Sequence, residues 1–351
     1  MNADPLLIYG ATGFTGGLIV ESCVKNGLKP ILAGRNASKL REVAAPFGLE
    51  HREARLDDSA RLDEVLRGVK AVLHAAGPFS ETSPPMVDAC LRAGAHYLDV
   101  TGEVDVFEAL ARRHDEARRR GVMLLPGVGY DVVATDCLAA HVTRRLPSAD
   151  RLAIGIAGLR YMTPASAKTF VGHAGRGVKI RRNGVLAEQA PGRERLFDFD
   201  GRLLWAVHVS LPDVVSAYYT TGIPEIAGYY EATPAMRTVV NTWRYFGLVV
   251  AAPAMRSALE TWTDALWRGP SSEQRQRAPT VIVAEAERLD GRRAISRLRT
   301  PEPYTTTAVA AAAIARRVLG GDVEVGFETP GRLFGADFVL SFDGVTREDL
   351  S

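Results

Sequence analysis

Short apolar runs alternate with longer amphipathic stretches over roughly the first 145 residues of the chain. The runs read, in order, PLLIYG, KPILAG, KAVLHAAG, AHYLDV and GVMLLPG, and a weaker, polar strand candidate, EHREARL, lies between the second and the third of them. Each run has the length of a strand, and the stretches between them are long enough for amphipathic helices. Strands that alternate with helices are typical of an α/β fold with a doubly wound parallel sheet. We therefore predict one such domain over residues 1–145.

The pattern changes near residue 146, where extended runs are joined by short polar turns. Three of these turns carry hairpin signals, at Asn183–Gly184, Asp200–Gly201 and Asp290–Gly291. Such residue pairs adopt the positive φ angles that tight antiparallel turns need. Residues 146–304 are therefore predicted to form a second α+β domain on an antiparallel or mixed sheet. Within it, SAYYTTGIPEIAGYY is interpreted as strand, with adjacent tyrosines on opposite faces.

Two further segments complete the predicted organisation. A helical insertion at about 233–268 holds three of the four tryptophans. Its role is open between an apolar lid, a homodimer interface and ordinary core. Residues 305–351 contain a predicted helix around TTAVAAAAIARRVLGG and an extended run, GADFVLSF.

Composition and charge narrow the function classes. The chain has 351 residues, 46% hydrophobic residues and a formal net charge of +2, values of a globular protein that do not favour nucleic-acid binding. The cysteines are far apart and no cluster of His, Cys and carboxylates has metal-ligand spacing, so we expect neither disulfides nor a metal. The most apolar later run, FGLVVAAPAM, is too short to span a membrane. The start MNADP carries no secretory signal, and we expect a cytoplasmic protein.

A glycine-rich turn, LIYGATGFTGG, connects the first predicted strand to the first predicted helix. Such a turn reverses the chain sharply, lets the backbone approach a pyrophosphate and places that phosphate at a helix N-terminus. A glycine triplet alone is also compatible with an ordinary strand–helix turn, and the strand–helix units that follow favour the nucleotide site. The turn residues expected to bind the dinucleotide are Gly10, Thr12, Gly13, Phe14, Thr15 and Gly16.

The end of the second strand indicates which nucleotide would bind. An NAD site normally has Asp or Glu there for the ribose hydroxyls, whereas this chain has AGRNASK, with Arg35 and nearby Lys39. A guanidinium can hold a 2′-phosphate through paired hydrogen bonds, so we predict NADP(H) as the cofactor. The alternative is that Arg35 is a solvated loop residue. Asp57, after the third strand, is either a contact to the adenine amine or a helix N-cap.

The fourth strand opens onto HAAGPFS, in which Ala76, Gly77 and Pro78 are predicted to form a backbone shelf against the cofactor. The alternative is a plain loop followed by a helix that starts at Pro84. No lysine of the chain has a tyrosine four residues before it. The Tyr–Lys proton-transfer scheme of short-chain dehydrogenases is therefore excluded.

Five stretches of the chain form a recognisable set. They are GATGFTG, AGRN, AAGPFSETSPPMVDACLRAGAHYLDVTGE, GVGYDVVATDCLAAHV and RTPEPYTTTAVAAAAIARRVLGG…GADFVL. Together they resemble the saccharopine dehydrogenase-like oxidoreductases, a group that includes trans-acting enoyl reductases. The resemblance implies a Rossmann domain, a mixed α/β second domain, an NADP-type cofactor and hydride transfer. It also implies that residues 305–351 pack back on the first domain.

The resemblance places candidate site residues at the edge of the parallel sheet where its strands end, and ligands bind at that edge in such folds. YLDVTGE puts four polar residues at the carboxyl end of the fifth strand, Tyr97, Asp99, Thr101 and Glu103. GYDVVATD puts Tyr130, Asp131 and Asp136 where the first domain leads into the second. Thr101 is expected to contact the cofactor. Reduction of C=N or of a polarised C=C needs a proton, for which the candidates are Tyr130, Asp131 and Glu103. A helix N-cap or a salt bridge is the alternative for each acidic residue.

We therefore expect an NADPH-dependent oxidoreductase of this family that reduces a C=C or C=N bond of a small or carrier-linked metabolite. The alternatives are an opine- or saccharopine-type amino-acid dehydrogenase and a non-catalytic NADP-sensing protein. The chain is shorter than typical enoyl reductases of the group, so the substrate class is not carried over. A homodimer is one option for the oligomeric state.

Overall fold

The computed structural model describes most of the chain. The described residues are 5–161, 177–234, 237–238, 271–276 and 278–351. The predicted helical insertion at about 233–268 lies almost entirely outside them. Within the described ranges, every helix is too short or too polar to cross a bilayer.

The chain divides into two compact units. The first comprises residues 1–133 and 304–334, and the second comprises residues 134–303 and 335–351. This division differs from the predicted one at two places. The helix that starts at Tyr130 runs on through residue 145 into the second unit, and residues 335–351 join the second unit because a strand near the C-terminus pairs there.

Strands and helices are numbered in chain order. The strands are β1 (Leu6–Tyr9), β2 (Ile31–Gly34), β3 (His51–Glu53), β4 (Ala71–His74), β5 (His96–Asp99), β6 (Met123–Leu125), β7 (Arg151–Ala157), β8 (Val178–Arg182), β9 (Val185–Gln189), β10 (Glu194–Phe199), β11 (Arg202–Val209), β12 (Glu225–Glu231), β13 (Thr280–Glu287), β14 (Arg293–Thr300), β15 (Gly326–Phe327) and β16 (Thr346–Asp349). The helices are α1 (Phe14–Lys25), α2 (Ala37–Ala44), α3 (Ser59–Val65), α4 (Phe79–Ala93), α5 (Val104–Arg112), α6 (His114–Arg120), α7 (Tyr130–Arg145), α8 (Asp213–Thr221), α9 (Ser272–Gln276), α10 (Pro303–Leu319) and α11 (Pro330–Phe334).

A parallel sheet of seven strands forms the centre of the first unit, in the order β15-β6-β5-β4-β1-β2-β3. The inner strands β1, β2 and β4 are buried along their whole length. Apart from His74 at the end of β4, their sequences are apolar because both faces of a parallel sheet are covered. The prediction of a doubly wound parallel sheet is confirmed, and the seventh strand, β15, comes from the C-terminal part of the chain.

The second unit contains a mixed sheet whose main path is β10-β11-β12-β7-β13-β14-β16, with the β8–β9 hairpin attached at β12. All of the pairings along this path are antiparallel except that of β12 with β7. This confirms the predicted second domain on a mixed sheet.

This mixed sheet curls so that its first strand reaches strands much farther along the path. Arg195 on β10 pairs with Glu285 on β13, and Arg299 on β14 pairs with Asp200 in the β10–β11 turn. Phe197 and Phe199 fill the concave side against Gly155, where an added Cβ would lie 3.0 Å from the Phe199 ring. Small residues on β7 therefore make room for the aromatic side chains of β10.

The three predicted hairpins are present, with one difference in turn length. Asn183 and Asp200 have φ angles of 50° and 63°, each followed by a glycine with positive φ. The third hairpin joins Glu287 to Arg293 through a five-residue loop, in which Gly291 alone has positive φ. The tight turn predicted there was therefore wrong in length.

Three other local predictions were wrong. Residues 213–221 form α8 rather than strand, so Tyr218 and Tyr219 lie on a helix. The helix predicted from Pro84 starts at Phe79. The run GADFVLSF contains a 3₁₀ turn at Phe338–Ser341 instead of an extended segment.

Candidate functional site

The glycine turn after β1 leaves space for backbone only. Gly10 has φ +89°, and a Cβ there would lie 2.8 Å from both the Cβ and the N atom of Ala76. A Cβ on Gly16 would collide with the carbonyl oxygen of Gly10. The N-cap residue of α1, Gly13, has no side chain to cap the first N–H groups of that helix. The turn thus has the two features that a bound pyrophosphate needs, close backbone approach and an uncapped helix N-terminus.

The other predicted residues of this turn lie at its surface. Thr12 and Phe14 are exposed and Thr15 is half-buried. The Phe14 ring, 37% exposed, packs edge-on against Tyr304 in the first turn of α10, with the ring centres 5.4 Å apart. The two hydroxyl-bearing side chains are therefore open to a ligand, and Phe14 also supports α10.

Arg35 follows β2 directly and is exposed. Among the described residues its guanidinium has neither a hydrogen bond nor an ion pair, whereas nearby Arg55 is held by Asp57. A solvated arginine at the end of the second strand remains available for a phosphate.

Asp57 is engaged by Arg55, whose Nε and Nη2 donate to its two carboxylate oxygens at 3.0 and 2.8 Å. This hydrogen-bonded pairing lowers the pKa of Asp57. The helix N-cap that was the alternative for Asp57 belongs to Asp58, which accepts the N–H of Arg61 at 2.9 Å. The adenine contact proposed for Asp57 would therefore require the Arg55 pair to open.

The loop of Ala76, Gly77 and Pro78 runs from β4 into α4 and lies against Gly10. The Thr82 hydroxyl donates to the Ala76 carbonyl at 2.6 Å. This contact holds the loop next to the glycine turn, where a dinucleotide would pass.

Glu103 caps α4 from outside that helix. Its two carboxylate oxygens accept the N–H groups of Phe79 at 2.8 Å and of Ser80 at 2.9 Å. These bonds explain why α4 begins before Pro84, since they satisfy N–H groups of its first turn. Glu103 is buried and both of its oxygens are used, so the structure favours a positioning role over the predicted role as proton donor.

Thr101 is buried, and its hydroxyl accepts the N–H of Glu103 at 3.1 Å. The N–H of Thr101 is in turn held by Asp99 at 3.0 Å. The predicted cofactor residue is therefore part of the support of the Glu103 loop, at the edge where the cofactor would lie.

Tyr130 and Asp131 begin α7 and differ in accessibility. Tyr130 is 1% exposed, and its N–H donates to the Thr307 hydroxyl at 3.0 Å. Asp131 is exposed at the surface, and desolvation of its carboxyl group by the surrounding protein raises its pKa to about 6. The Asp131 carboxylate lies 3.4 Å from the position that a Cβ on Gly102 would take.

A small cavity lies beside these two residues. It is lined by residues 100–101, residues 129–132 and Thr307, and the space open to the centre of a water molecule is about 10 Å³. Such a volume holds about one water molecule. The cavity reaches both the predicted Tyr130 and the predicted Asp131.

Asp136 does not belong to this arrangement. It lies in the interior of α7, is buried and accepts a hydrogen bond from the Thr220 hydroxyl at 2.9 Å in the second unit. The capping role considered for it was wrong because α7 begins six residues earlier, at Tyr130.

Two buried polar residues at this edge were given no role in the sequence analysis. His74 ends β4, contacts the Thr82 hydroxyl at 3.1 Å through Nε2, and has a pKa lowered to about 3 by burial. Asp99 ends β5 and accepts three hydrogen bonds. The signal that could have found both is a polar residue that closes an otherwise apolar strand.

Comparison with known proteins agrees with this geometry. The family model described as the saccharopine dehydrogenase NADP binding domain matches residues 6–125. A trans-acting enoyl reductase from Mycobacterium leprae is 30% identical over 149 residues, which are 40% of this chain and 36% of that protein. A saccharopine dehydrogenase-like oxidoreductase from Homo sapiens is 27% identical over 151 residues, 37% of this chain and 35% of that protein.

The fold is also that of a solved enzyme. Apo saccharopine dehydrogenase (L-Glu forming) from Saccharomyces cerevisiae superposes with a TM-score of 0.64 at 11% identity, over 99% of this chain and 100% of that one. The parallel sheet and its glycine turn define the class of dinucleotide-binding α/β domains. Within that class, residues 6–125 match the model of the saccharopine dehydrogenase NADP binding domain, in agreement with the resemblance seen in the sequence. The chain spans about a third of the length of the curated relatives it matches.

Proposed function

We propose that this protein is an NADPH-dependent oxidoreductase that reduces a C=C or C=N bond of a small or carrier-linked metabolite. The observation that carries the proposal is the position of Asp131. Its carboxyl group, with a pKa near 6, lies in the same unit and at the same sheet edge as the glycine turn. A nucleotide cradle alone would suit a sensor, whereas a proton donor beside it suits a reductase.

The cofactor-binding part of the proposal rests on three features. The turn of Gly10, Gly13 and Gly16 admits the pyrophosphate, and the loop of residues 76–78 lies beside it. The guanidinium of Arg35, unpaired among the described residues, favours NADPH over NADH because it can hold the 2′-phosphate. When bound, NADPH supplies the hydride.

The proton-transfer part assigns different roles to the three predicted residues. Asp131 is the proposed donor, since water reaches it and its raised pKa keeps part of it protonated near neutral pH. Tyr130 is buried and is proposed to shape the cavity beside it. Glu103 is proposed to hold the start of α4 and the adjoining cofactor loop.

The first experiment measures binding of NADPH and NADH by cofactor fluorescence. The Arg35→Glu variant should bind NADPH roughly 10–100-fold more weakly, as expected for loss of charge-assisted hydrogen bonds to a phosphate, with little change for NADH. Arg67→Glu is the matched control, because Arg67 is also exposed but precedes β4 at the opposite edge of the sheet. Equal weakening of both cofactors by Arg35→Glu would overturn the phosphate assignment.

The second experiment measures NADPH oxidation with a panel of imines and enoyl thioesters. Asp131→Asn should lower kcat by about 100-fold or more without changing NADPH affinity, since general acid catalysis contributes about that much. Tyr130→Phe, which keeps the ring in the cavity, should have a much smaller effect. Tight NADPH binding with no turnover of any substrate would instead support the sensing protein.

A further inference from the structure

A buried carboxylate at the end of β5 joins two loops of the first unit. Asp99 is fully buried, and its Oδ1 accepts the N–H of Thr101 at 3.0 Å and the N–H of Gly127 at 2.9 Å. Its Oδ2 accepts the Tyr97 hydroxyl at 2.8 Å. One oxygen therefore bridges the loop after β5 and the loop after β6.

The second of these loops has little freedom once it is held. The carbonyl of Asp99 also accepts the N–H of Val128 at 2.7 Å. Gly127 has φ +69°, and a Cβ there would lie 2.5 Å from the Phe107 ring and 2.7 Å from a Val132 methyl group. The loop thus enters α7 in one geometry, fixed by Asp99 on one side and by packing on the other.

Both of the loops that Asp99 joins lie next to the proposed proton donor. The loop after β6 leads through Gly129 and Tyr130 to Asp131, and the loop after β5 carries Gly102, against which the Asp131 carboxylate lies. Because Asp131 follows one loop closely in the chain and its carboxylate lies against the other, the separation of the two loops helps to set the position of that carboxyl group.

A buried carboxylate is costly to maintain, and a neutral group would be the ordinary choice for a purely structural link. Burial raises the pKa of Asp99 to about 6, and the N–H groups of Gly127 and Thr101 oppose that rise. The titratable neighbours that act on it are Tyr97 and Glu103. The charge is thus matched to the two backbone donors that it bridges.

We propose that Asp99 is a positioning residue for Asp131: by bridging the N–H groups of Thr101 and Gly127, it holds the two loops at the separation that places the Asp131 carboxyl group at the site. This inference rests on the proposed function in one respect, the assignment of Asp131 as the proton donor. The bridge itself can be tested in the protein without substrate.

The test compares Asp99→Ala with Asp99→Asn in the full chain. Alanine removes the bridge, and asparagine keeps an oxygen that can accept both N–H groups while removing the charge. In Asp99→Ala, hydrogen exchange at the amides of Thr101 and Gly127 should become at least tenfold faster. The pKa of Asp131, followed by carbon-13 NMR, should fall toward 3.8, the ordinary value from which it is raised. Both quantities should stay close to wild type in Asp99→Asn.

Activity adds a separate readout. If a substrate is found, Asp99→Ala should lower kcat by roughly 10–100-fold, as expected for a misplaced catalytic group, a larger effect than any weakening of NADPH binding. Asp99→Asn should recover most of kcat. If Asp99→Ala does not fold, Asp99→Ser, which keeps one acceptor, takes its place with smaller changes in the same direction.

Two results would overturn the inference. One is an unchanged pKa of Asp131 in a folded variant whose loop amides exchange faster, because the bridge would then not position Asp131. The other is an equal shift of that pKa in the alanine and asparagine variants, because the effect would then be one of charge alone. Failure of the proposed function would appear differently, as absence of turnover in the wild-type protein with the exchange and pKa results intact.

Discussion

Asp131 and Asp99 hold carboxyl groups whose pKa values burial raises from 3.8 to about 6. In the folded protein each binds a proton at pH values where the unfolded chain has already released it. Because protonation is linked to folding, the contribution of these groups lowers the free energy of unfolding as pH rises from about 4 to about 6. Above that range the decrease has reached its full size. The folded protein is thus less stable when the carboxyl groups of this site are ionised than when they are protonated.

Replacing Asp131 by asparagine should therefore stabilise the protein at neutral pH. A pKa raised by this amount corresponds to about 3 kcal/mol for a fully buried group, and because water reaches Asp131 we expect about 1 kcal/mol at pH 7.5. The gain should shrink below pH 6 and vanish near pH 4. Urea unfolding at several pH values measures it.

Asp57→Asn is the control for that measurement, because the hydrogen-bonded Arg55 lowers rather than raises the pKa of Asp57. This variant should give no stabilisation at pH 7.5. A gain for Asp131→Asn that is as large at pH 4 as at pH 7.5 would show that its cause is not the carboxyl charge.

At the scale of the element, the first turn of α1 depends on one of two adjacent glycines. A Cβ on Gly16 would meet the Gly10 carbonyl group and lie 3.0 Å from the Ala11 Cα, whereas the nearest atom to a Cβ on Gly17 is 4.0 Å away. Gly16→Ala should destabilise the protein by about 1–3 kcal/mol and weaken NADPH binding, because the turn must open. Thermal unfolding and cofactor fluorescence measure the two effects.

Gly17→Ala is the matched variant one residue later. It should bind NADPH normally and be as stable as wild type or up to about 1 kcal/mol more stable, since alanine is the better helix former. Similar losses in both variants would contradict the assignment of Gly16 as the residue that the turn requires.

The start of α4 depends on a carboxylate from another element. Glu103→Ala leaves the N–H groups of Phe79 and Ser80 without their acceptor, and we expect a loss of about 1–2 kcal/mol, as for other helix caps. Urea unfolding measures the loss. Glu81→Ala, an exposed position in the first turn of the same helix, should cost no more than about 0.5 kcal/mol. Equal costs for the two would mean that Glu103 does not cap α4.

The sequence predicted the elements whose signals are local. The apolar runs specify the parallel strands, and Asn183 and Asp200 mark hairpin turns because the positive φ is a property of the turn itself. The start of α4 at Phe79 could not be predicted, since its cap comes from Glu103, distant in sequence. The bridge made by Asp99 was missed for the same reason: its partners belong to two different loops.

At the scale of the whole molecule, the chain enters the first unit twice and the second unit twice. The last strand, β16, pairs with β14 in the second unit. On β16, the Asp349 carboxylate accepts a hydrogen bond from the Ser296 hydroxyl at 2.7 Å and lies 2.8 Å from Nε2 of His141. The edge of the second sheet is therefore supplied by C-terminal residues, while every predicted cofactor-binding residue lies in the first unit.

Deleting residues 346–351 should therefore affect the two units differently. The second unit loses β16 and its bonds to β14, so its unfolding should occur at lower temperature. The first unit keeps its sheet and glycine turn, so the Kd for NADPH should change less than about threefold. Trp205 lies on β11 of the second unit, so its fluorescence follows that unit while NADPH fluorescence follows the first. Glu348→Gln, which keeps the strand, should lower the unfolding temperature of the second unit less than the deletion does. A loss of NADPH affinity in the deletion variant, with an unchanged unfolding temperature by tryptophan fluorescence, would contradict the assignment of these residues to the second unit.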